Sequence, residues 1–533
     1  MRSPGFPSLS KHAPMIFIIA LAALLSGAGI AQHVFWDDEA NTAVIARNLL
    51  HTGKLTGWDG ANLMAFRGGE DLDDALIQKT VPPLQYYVAA AGLALFGASD
   101  WGARVPFLLL GLGALGLLYR WAAALMGPGF PAWLPPLLLA LDAPYLLYIR
   151  QARYYALTLF LFAALGWAWS RLGKPRHTAV GAAAAVALFY ANYLCGLAAL
   201  AALTAFFAAP RWRNRAHLGF FALVAALIGG AIVSLLATGK PGVPHPLAAA
   251  LRLFWWELRG LGEFELVPLA LLPLLALPFL VERLKALRPI ASASTVLVLA
   301  MMLLLAAVAV ASPQPLEVTE RADMRYVLPV MLLGSLAAAG AIVILAASFG
   351  RVAAGAGLAL LVLSNAAYPG ASLRCTLCEF ARETVRPHPS GGDALVAFAR
   401  SLPAGTLLHA VPATMTDALL FYAPRLRYGD RLAGDKPIDA GIRAALPAYV
   451  IADAVPPDVL VQAVGASPLR PGMMLSAGGR AYRVDRVLPV LWFDGTRPDL
   501  PLHRFRADAA LDAAHGIAIL RPSEAAPREQ AAN

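Results

Sequence analysis

Three consecutive acids, Asp37, Asp38 and Glu39, follow the first long apolar run, in Trp36-Asp37-Asp38-Glu39-Ala40-Asn41. A carboxylate at a membrane boundary is costly unless it reaches water or a partner, so three in a row ask for a reason. One reason is structural. Acids in the first turn of a helix meet its positive end, and Ala40 to Leu50 has the apolar spacing of an amphipathic helix. The other is chemical, because a carboxylate at the bilayer surface is placed to take a proton from an acceptor hydroxyl. Further along the same segment stand Lys79, Val81-Pro82-Pro83, Tyr86 and Tyr87, and then Arg104. Fixed cations there suit a phosphate headgroup, although each alone reads equally well as a solvated or snorkelling charge. Acids also bind divalent ions, so metal-dependent and metal-independent chemistry both stay open, and no cofactor is required.

The elements that position these residues are set by composition. Of 533 residues, 59% are hydrophobic and 14% charged, and the mean hydropathy is +0.62. Soluble domains carry roughly 25% charged residues. The deficit excludes an ordinary soluble enzyme, a disordered chain and a coiled coil, and predicts a polytopic α-helical membrane protein. The net charge is +10. From Ala371 onward there are 18 basic and 16 acidic residues, against 25 and 17 before it. The excess therefore lies beside hydrophobic segments, where it orients the chain in the membrane, and no nucleic-acid partner is expected. Three cysteines exclude a disulfide framework.

Apolar runs of spanning length occur at about Pro14–Gln32, Arg104–Leu125, Phe130–Ile149, Tyr154–Arg171, Thr178–Tyr190, Tyr193–Ala209, His217–Thr238, Phe264–Val281, Ser292–Ala311, Tyr326–Phe349 and Val352–Pro369. Arg2 and Lys11 before the first run also fit a signal peptide, but its length and the spans that follow favour a retained helix. Leu84 to Gly97 is apolar but short. If it lies in the interface, the basic connectors at Arg120, Arg171 to Arg176, Arg211 to Arg215, Arg283 to Arg288 and Arg351 all fall on one side, as the positive-inside rule requires. This predicts about eleven transmembrane helices, a cytoplasmic N-terminus and an external C-terminus. The outer side then holds a first loop (33–103), the Arg150 to Arg153 turn, Lys240 to Gly262, Ser312 to Arg325 and the tail. Nine of the 17 acids before Ala371 lie in the first loop.

Two domains are expected: residues 1–370 in the membrane and a C-terminal extramembrane α/β domain at 371–533. In the tail, Thr406 to Ala410, Tyr449 to Ile451 and Ile517 to Leu520 read as strands, and Thr416 to Tyr422 and Pro456 to Val464 as helices. Cys375 and Cys378 form a lone C-x-x-C, suited outside the cytoplasm to a small disulfide.

Trp36-Asp37-Asp38-Glu39-Ala40-Asn41 with Ala46-Arg47-Asn48 through Gly53-Lys54-Leu55, then Lys79-Thr80-Val81-Pro82-Pro83-Leu84-Gln85-Tyr86-Tyr87 and Arg104-Val105-Pro106, resembles the opening region of the membrane glycosyltransferases with the GT-C fold. Specifically it is similar to glycosyltransferase family 39, the group of protein O-mannosyltransferases and the lipid A aminoarabinose transferase. Arg150-Gln-Ala-Arg153-Tyr154-Tyr155 and Arg325-Tyr326-Val-Leu-Pro329 extend the likeness over residues 14 to 370. Two departures stand out: Thr80-Val81 lengthens the lysine–proline spacing by one residue, and Asn41 stands where the aminoarabinose transferases carry Arg.

The resemblance implies a sugar transferred from a polyprenyl-phosphate donor to a hydroxyl of a lipid, glycan or protein acceptor. The reaction would take place at the periplasmic face of a bacterial inner membrane. It implies Asp38 as base with Glu39 as partner, Lys79, Arg104 and Arg325 as phosphate ligands, and Asp37, Arg153, Tyr154 and Tyr326 as substrate or lipid contacts. The segment Thr56 to Ile77 is an insertion suited to shaping the acceptor side. Two other classes are weighed against this. A transporter or lipid flippase would carry polar residues near the midplane, whereas Asp142 is the one clear charge inside a span. A scaffold with a partner-binding tail leaves the three acids beside Trp36 unexplained. A group of loop charges at Glu317, Glu320, Arg321 and Asp323 reads equally as acceptor lining or as solvated loop.

Overall fold

The computed structural model describes residues 13–237, 245–312, 323–370, 374–387, 390–429, 431–451, 455–464, 469–477, 479–489 and 516–523. Arg2, Lys11, Lys240, Glu317, Glu320 and Arg321 lie outside them. The helices are α1 (Ala13–Gly27), α2 (Asp37–Thr52), α3 (Leu84–Phe96), α4 (Asp100–Met126), α5 (Leu134–Ala140), α6 (Ala143–Ile149), α7 (Tyr154–Trp169), α8 (Pro175–Ala191), α9 (Tyr193–Phe206), α10 (Arg215–Ala237), α11 (Leu247–Glu263), α12 (Leu277–Leu280), α13 (Arg288–Ala311), α14 (Val330–Phe349), α15 (Arg351–Ser364), α16 (Thr376–Val385), α17 (Gly391–Ser401), α18 (Asp417–Tyr422) and α19 (Ala440–Ala445). Internal contacts divide the chain into two compact units. One joins the residues up to Ala28 to Phe107–Thr384, and the other joins Gly29–Pro106 to the residues from Val385 on.

The first unit is a helical bundle. Asp100–Met126, Arg215–Val233, Glu282–Ala311 and Val330–Phe349 are long and apolar enough to cross a membrane by length and composition. α14 is buried from Val330 through Ala341, as an all-round apolar helix must be at the centre of a bundle, and it packs on α13, which also packs on α9. The expected span Phe130–Ile149 is not one helix. It breaks between α5 and α6 at Asp142, whose backbone is extended, just before Pro144. A proline this close to a helix start has no N–H to continue the preceding helix. The expected span Phe264–Val281 is likewise a 3-10 segment over Leu269–Ala276 followed by the short α12. Pro268, Pro273 and Pro278 withhold the hydrogen bonds an α-helix would need. Asn192 does separate two helices, its side chain accepting the Cys195 N–H at the start of α9. Cys375 and Cys378 are disulfide-bonded.

The second unit contains a six-stranded sheet. Its strands, in chain order, are β1 (Leu407–Val411), β2 (Arg427–Tyr428), β3 (Val459–Ala463), β4 (Met474–Ala477), β5 (Arg480–Pro489) and β6 (Gly516–Pro522). The spatial order is β2-β1-β3-β6-β5-β4, with β1 parallel to β2 and β3 and the other pairs antiparallel. Pro456 to Val464, read above as helix, is instead the strand β3. Val459, Leu460 and Val461 are all buried between β1 and β6, and a strand covered on both faces loses the alternation that marks it in sequence. Tyr449 to Ile451 is not a sheet strand either but a 3-10 turn, with one bridge from Ile451 to Leu432.

The first loop belongs to this unit. α3 has 13 residues, about 20 Å at 1.5 Å per residue, shorter than a hydrocarbon core of about 30 Å. Gly92 of α3 lets it approach the start of α4, since a Cβ there would lie 2.2 Å from the Gly102 carbonyl oxygen. The Thr56 to Ile77 insertion does not stand apart. Leu63, Ala65, Leu72 and Leu76 share a core with Leu432, Leu446 and Val450. Asn62, 1% exposed, fastens this joint. Its Nδ2 donates to the carbonyls of Pro424 (3.2 Å) and Leu426 (3.0 Å), and its Oδ1 accepts the Tyr428 N–H at 3.1 Å. Asn62→Ala takes this partner from two buried backbone groups and one partly buried carbonyl, and unfolding of the full-length protein in detergent should show a loss of about 2–4 kcal/mol.

Candidate active site

α2 begins at the acids. Trp36 precedes it in extended conformation and supplies no side-chain cap. Asp37 fills that role in part, its Oδ1 accepting the Asp38 N–H at 2.7 Å, and all three acids lie in the first turn, where the helix dipole favours them. Glu39 turns inward and is 1% exposed, facing Arg104, which is 6% exposed. Arg104 Nε donates to Glu39 Oε1 (2.9 Å) and Nη2 to Oε2 (2.7 Å). Nη1 donates to the Ile30 and His33 carbonyls at 2.7 and 2.8 Å, and Nη2 also reaches the Val34 carbonyl at 3.4 Å. The guanidinium lies 4.8 Å from the centre of the Phe35 ring. A guanidinium has five N–H donors. All five of these go to protein acceptors, so Arg104, expected to hold phosphate, here ties α4 to the segment that carries the acids. Glu39, expected beside Asp38 in the chemistry, is its fork partner.

Asp38 takes no part in that pair and is half-buried. The segment around it is gripped by residues more than 350 positions away. His33 Nδ1 and the Val34 N–H each meet an oxygen of Asp393 at 2.8 Å. The Phe35 N–H donates to the Tyr422 hydroxyl at 3.0 Å, and that hydroxyl donates to Asp100. Phe35 packs edge-on against Phe421. Arg47, farther along α2, donates to the Leu420 carbonyl and pairs with Asp59. α18 therefore lies against α2. On the other side, α2 meets α3, where Tyr86 donates to Asn41 at 2.9 Å.

Lys79 is exposed and its backbone is fixed, its N–H donating to the Asp71 carbonyl at 3.0 Å. Asp71 is 4% exposed and accepts from the Phe66 N–H and from Gln78 Nε2. Gln78 Oε1 in turn accepts from Thr80. A network of this kind sets the turn before Pro82-Pro83.

In the first unit a separate basic and aromatic group forms. Arg153 precedes α7 and lies 5.4 Å from the Tyr154 ring centre. Arg325 is forked onto Asp323 (Nε to Oδ1 2.8 Å, Nη2 to Oδ2 2.5 Å) and lies 6.0 Å from the Tyr326 ring. Arg153, Asp323, Arg325 and Tyr326 all act electrostatically on the Tyr154 hydroxyl, so the expected contacts Arg153, Tyr154 and Tyr326 and the expected phosphate ligand Arg325 are brought together. Among the described residues no group of three or more His, Cys, Asp or Glu side chains is arranged to hold a metal ion.

The sequence reading missed Asp393, Asp417, Tyr422 and Arg431 in the C-terminal half. The available signal was slight: single polar residues inside apolar stretches, as in Thr416-Asp417-Ala418-Leu419-Leu420-Phe421-Tyr422.

A bundle of apolar helices joined to a first-loop acid helix and a C-terminal sheet is the GT-C fold of membrane glycosyltransferases. The solved structure of ArnT from Cupriavidus metallidurans bound to undecaprenyl phosphate shows it, with 17% sequence identity and a TM-score of 0.50 over 85% of this chain and 93% of that one. The apo state of the same protein gives 16% and 0.48 over 85% and 93%. The Archaeoglobus fulgidus oligosaccharyltransferase in complex with zinc and sulfate gives 12% and 0.48 over 84% and 68%. No protein-family model and no curated protein matches the sequence.

Removing one partner of a buried ion pair costs about 3–5 kcal/mol. Arg104→Met should lose that much in unfolding measurements in detergent. Arg104→Lys should recover only a minor part of it, because an ammonium cannot form the fork.

Proposed function

We propose that the protein is a membrane glycosyltransferase that moves a sugar from a polyprenyl-phosphate donor to an acceptor hydroxyl, with Asp38 as general base. The observation that carries this is the division of labour in the first turn of α2. Asp37 caps, Glu39 holds Arg104, and Asp38 stands half-buried beside them on a helix packed against both α3 and α18. The shared fold supports it, since ArnT from Cupriavidus metallidurans was solved with undecaprenyl phosphate bound.

In this reading Asp38 accepts the acceptor's proton as the oxygen attacks the anomeric carbon. The bond to the phosphate oxygen breaks on the opposite face, giving inversion. One carboxylate suffices, unlike the acid pairs of glycosidases. Negative charge gathers on the departing lipid phosphate, and a fixed cation stabilises it there. Lys79 is proposed for that role, since the donors of Arg104 are taken. Arg153, Tyr154, Arg325 and Tyr326 are proposed as contacts for the lipid headgroup. The sidedness of the basic connectors supports a reaction at the periplasmic face of a bacterial inner membrane, with the C-terminal part outside.

Asp38→Asn should abolish transfer, by about 10²-fold or more for loss of a general base, while retaining donor binding. The check is turnover of polyprenyl-phosphate sugar by purified protein in detergent, and full activity in this variant would sink the assignment. Lys79→Ala should chiefly weaken retention of polyprenyl phosphate, read by a binding titration. Unchanged affinity would return Lys79 to the role of a solvated charge.

A further inference from the structure

Between Asp142 and Glu257 the chain carries ten Lys and Arg residues and no acid. Six of them stand at two connectors of the first unit, Arg171, Lys174 and Arg176 where α7 passes to α8, and Arg211, Arg213 and Arg215 where α9 passes to α10. All six are exposed. Positive charge at a connector orients a membrane protein, but orientation is indifferent to neighbouring acids. The connector at 282–288 makes the contrast, because there Glu282 pairs with Lys285 at 2.9 Å and with Arg288 at 3.3 Å. None of the six has such a partner among the described residues.

The two connectors meet. His217, near the start of α10, reaches the Trp169 carbonyl at the end of α7 through Nε2 at 3.1 Å, and its ring packs on those of Trp169 and Trp212, with centres 4.9 and 5.0 Å away. His177 Nδ1 lies 2.8 Å from the Arg171 carbonyl and closes the first connector. The Arg211 guanidinium lies 4.6 Å from the centre of the Trp212 ring, and its Nη2 donates to the Leu125 carbonyl near the end of α4 at 3.3 Å. Arg213 donates to the Phe207 and Ala208 carbonyls at 2.5 and 3.1 Å. Both cations are held in place, yet a guanidinium has five N–H donors, and most of theirs remain.

The electrostatics at this end call for an anion. α8 and α10 both begin here with no acid in the first turn, and the start of a helix is the end that repels cations. Burial lowers the pKa of Arg211, with no acid to oppose it. Trp169 and Trp212 are more than nine-tenths buried, and each keeps an indole N–H without a hydrogen-bond partner among the described residues. Donors and positive charge accumulate together.

α10 indicates what the anion is attached to. It is long and apolar enough to cross a membrane, and it is the least buried of the four helices of that kind. Phe220, Val224 and Ile228 are buried, whereas Leu218, Leu223 and Leu227 are between 41% and 54% exposed. An anion at the cations has this apolar strip directly alongside, which suits a phosphate that carries acyl chains and offers a free phosphate nothing. Arginine forks onto phosphate oxygens, and basic clefts between membrane helices take acidic headgroups.

We propose that this end of the bundle binds an acidic phospholipid, its phosphodiester between the two connectors and its acyl chains along the exposed side of α10. The site lies within the first unit and does not depend on the role of Asp38.

The test is lipid binding by the full-length protein purified in detergent, read by native mass spectrometry during titration with dioleoylphosphatidylglycerol or dioleoylphosphatidylcholine. Phosphatidylglycerol should bind about tenfold more tightly or better. Lys174→Gln combined with Arg215→Gln removes one exposed cation from each connector, and neither side chain has a hydrogen bond to lose among the described residues. This pair should weaken phosphatidylglycerol binding by about tenfold or more. Arg283→Gln combined with Lys285→Gln removes the same charge from the connector that has its own acid and should leave binding unchanged.

Equal losses from the two pairs, or equal binding of the two lipids, overturn the proposal, since net charge alone would then account for the result. Displacement of the lipid by inorganic phosphate at the same concentration also overturns it, because the occupant is then a soluble anion. If the glutamine variants do not fold, hydrogen exchange on the unaltered protein decides. Added phosphatidylglycerol should protect amides at 170–177 and 207–217 but not at 282–288, and protection that is absent, or equal at 282–288, overturns the site.

Discussion

The guanidinium of Arg104 is the fixed point of the candidate site. It is buried, and each of its N–H bonds has a protein acceptor. A buried cation in this state cannot move without leaving several carbonyls and a carboxylate unpaired, each a penalty of about 1–3 kcal/mol or more. It therefore fixes the exit of the first helix, the first turn of α2 and the mouth of α4 relative to one another. Once Glu39 is held there, the helical period puts Asp38 about 100° around α2, away from the fork.

The second constraint comes from the far end of the chain. Tyr422, Asp393 and the Leu420 carbonyl each take hold of a group on or just before α2, and Asn62 fastens the insertion to the residues around β2. The acid helix is thus a strut between local and distant supports. This differs from a loop that orders only when substrate arrives, because the positions of Asp37 and Glu39 are set by contacts already in place.

Helices of the bundle were legible because each buries a long apolar run, and their ends fall within a few residues of where the runs stop. α4, α13 and α14 are examples. Where regularity depends on backbone hydrogen bonds, hydropathy is silent: Phe130–Ile149 and Phe264–Val281 are as apolar as their neighbours, but prolines break them. β3 was misread because burial on both faces removes the period of two. At the site, the acids and Lys79 stand out in the sequence by their position after the first span, whereas the Arg104–Glu39 fork joins residues 65 positions apart and leaves no local pattern. Asp417 and Arg431 were beyond reach. They pair across two elements of the C-terminal half, and nothing in a charge surrounded by Ala, Leu and Phe shows which helix it will face.

The pairing of His33 with Asp393, 360 residues apart, has a bearing on how the molecule is made. The acid helix leaves the ribosome early, and its braces follow only after several hundred further residues, on the order of tens of seconds later at typical elongation rates. Throughout that interval the first loop carries an incomplete joint, with Asn62, Leu63 and Phe35 still awaiting their partners. Membrane insertion of the bundle can proceed meanwhile, but the site is assembled last. The first turn of α2 is in this way braced only after the residues through Tyr428 have been made, and a nascent chain holds Asp37 and Asp38 without these supports until then.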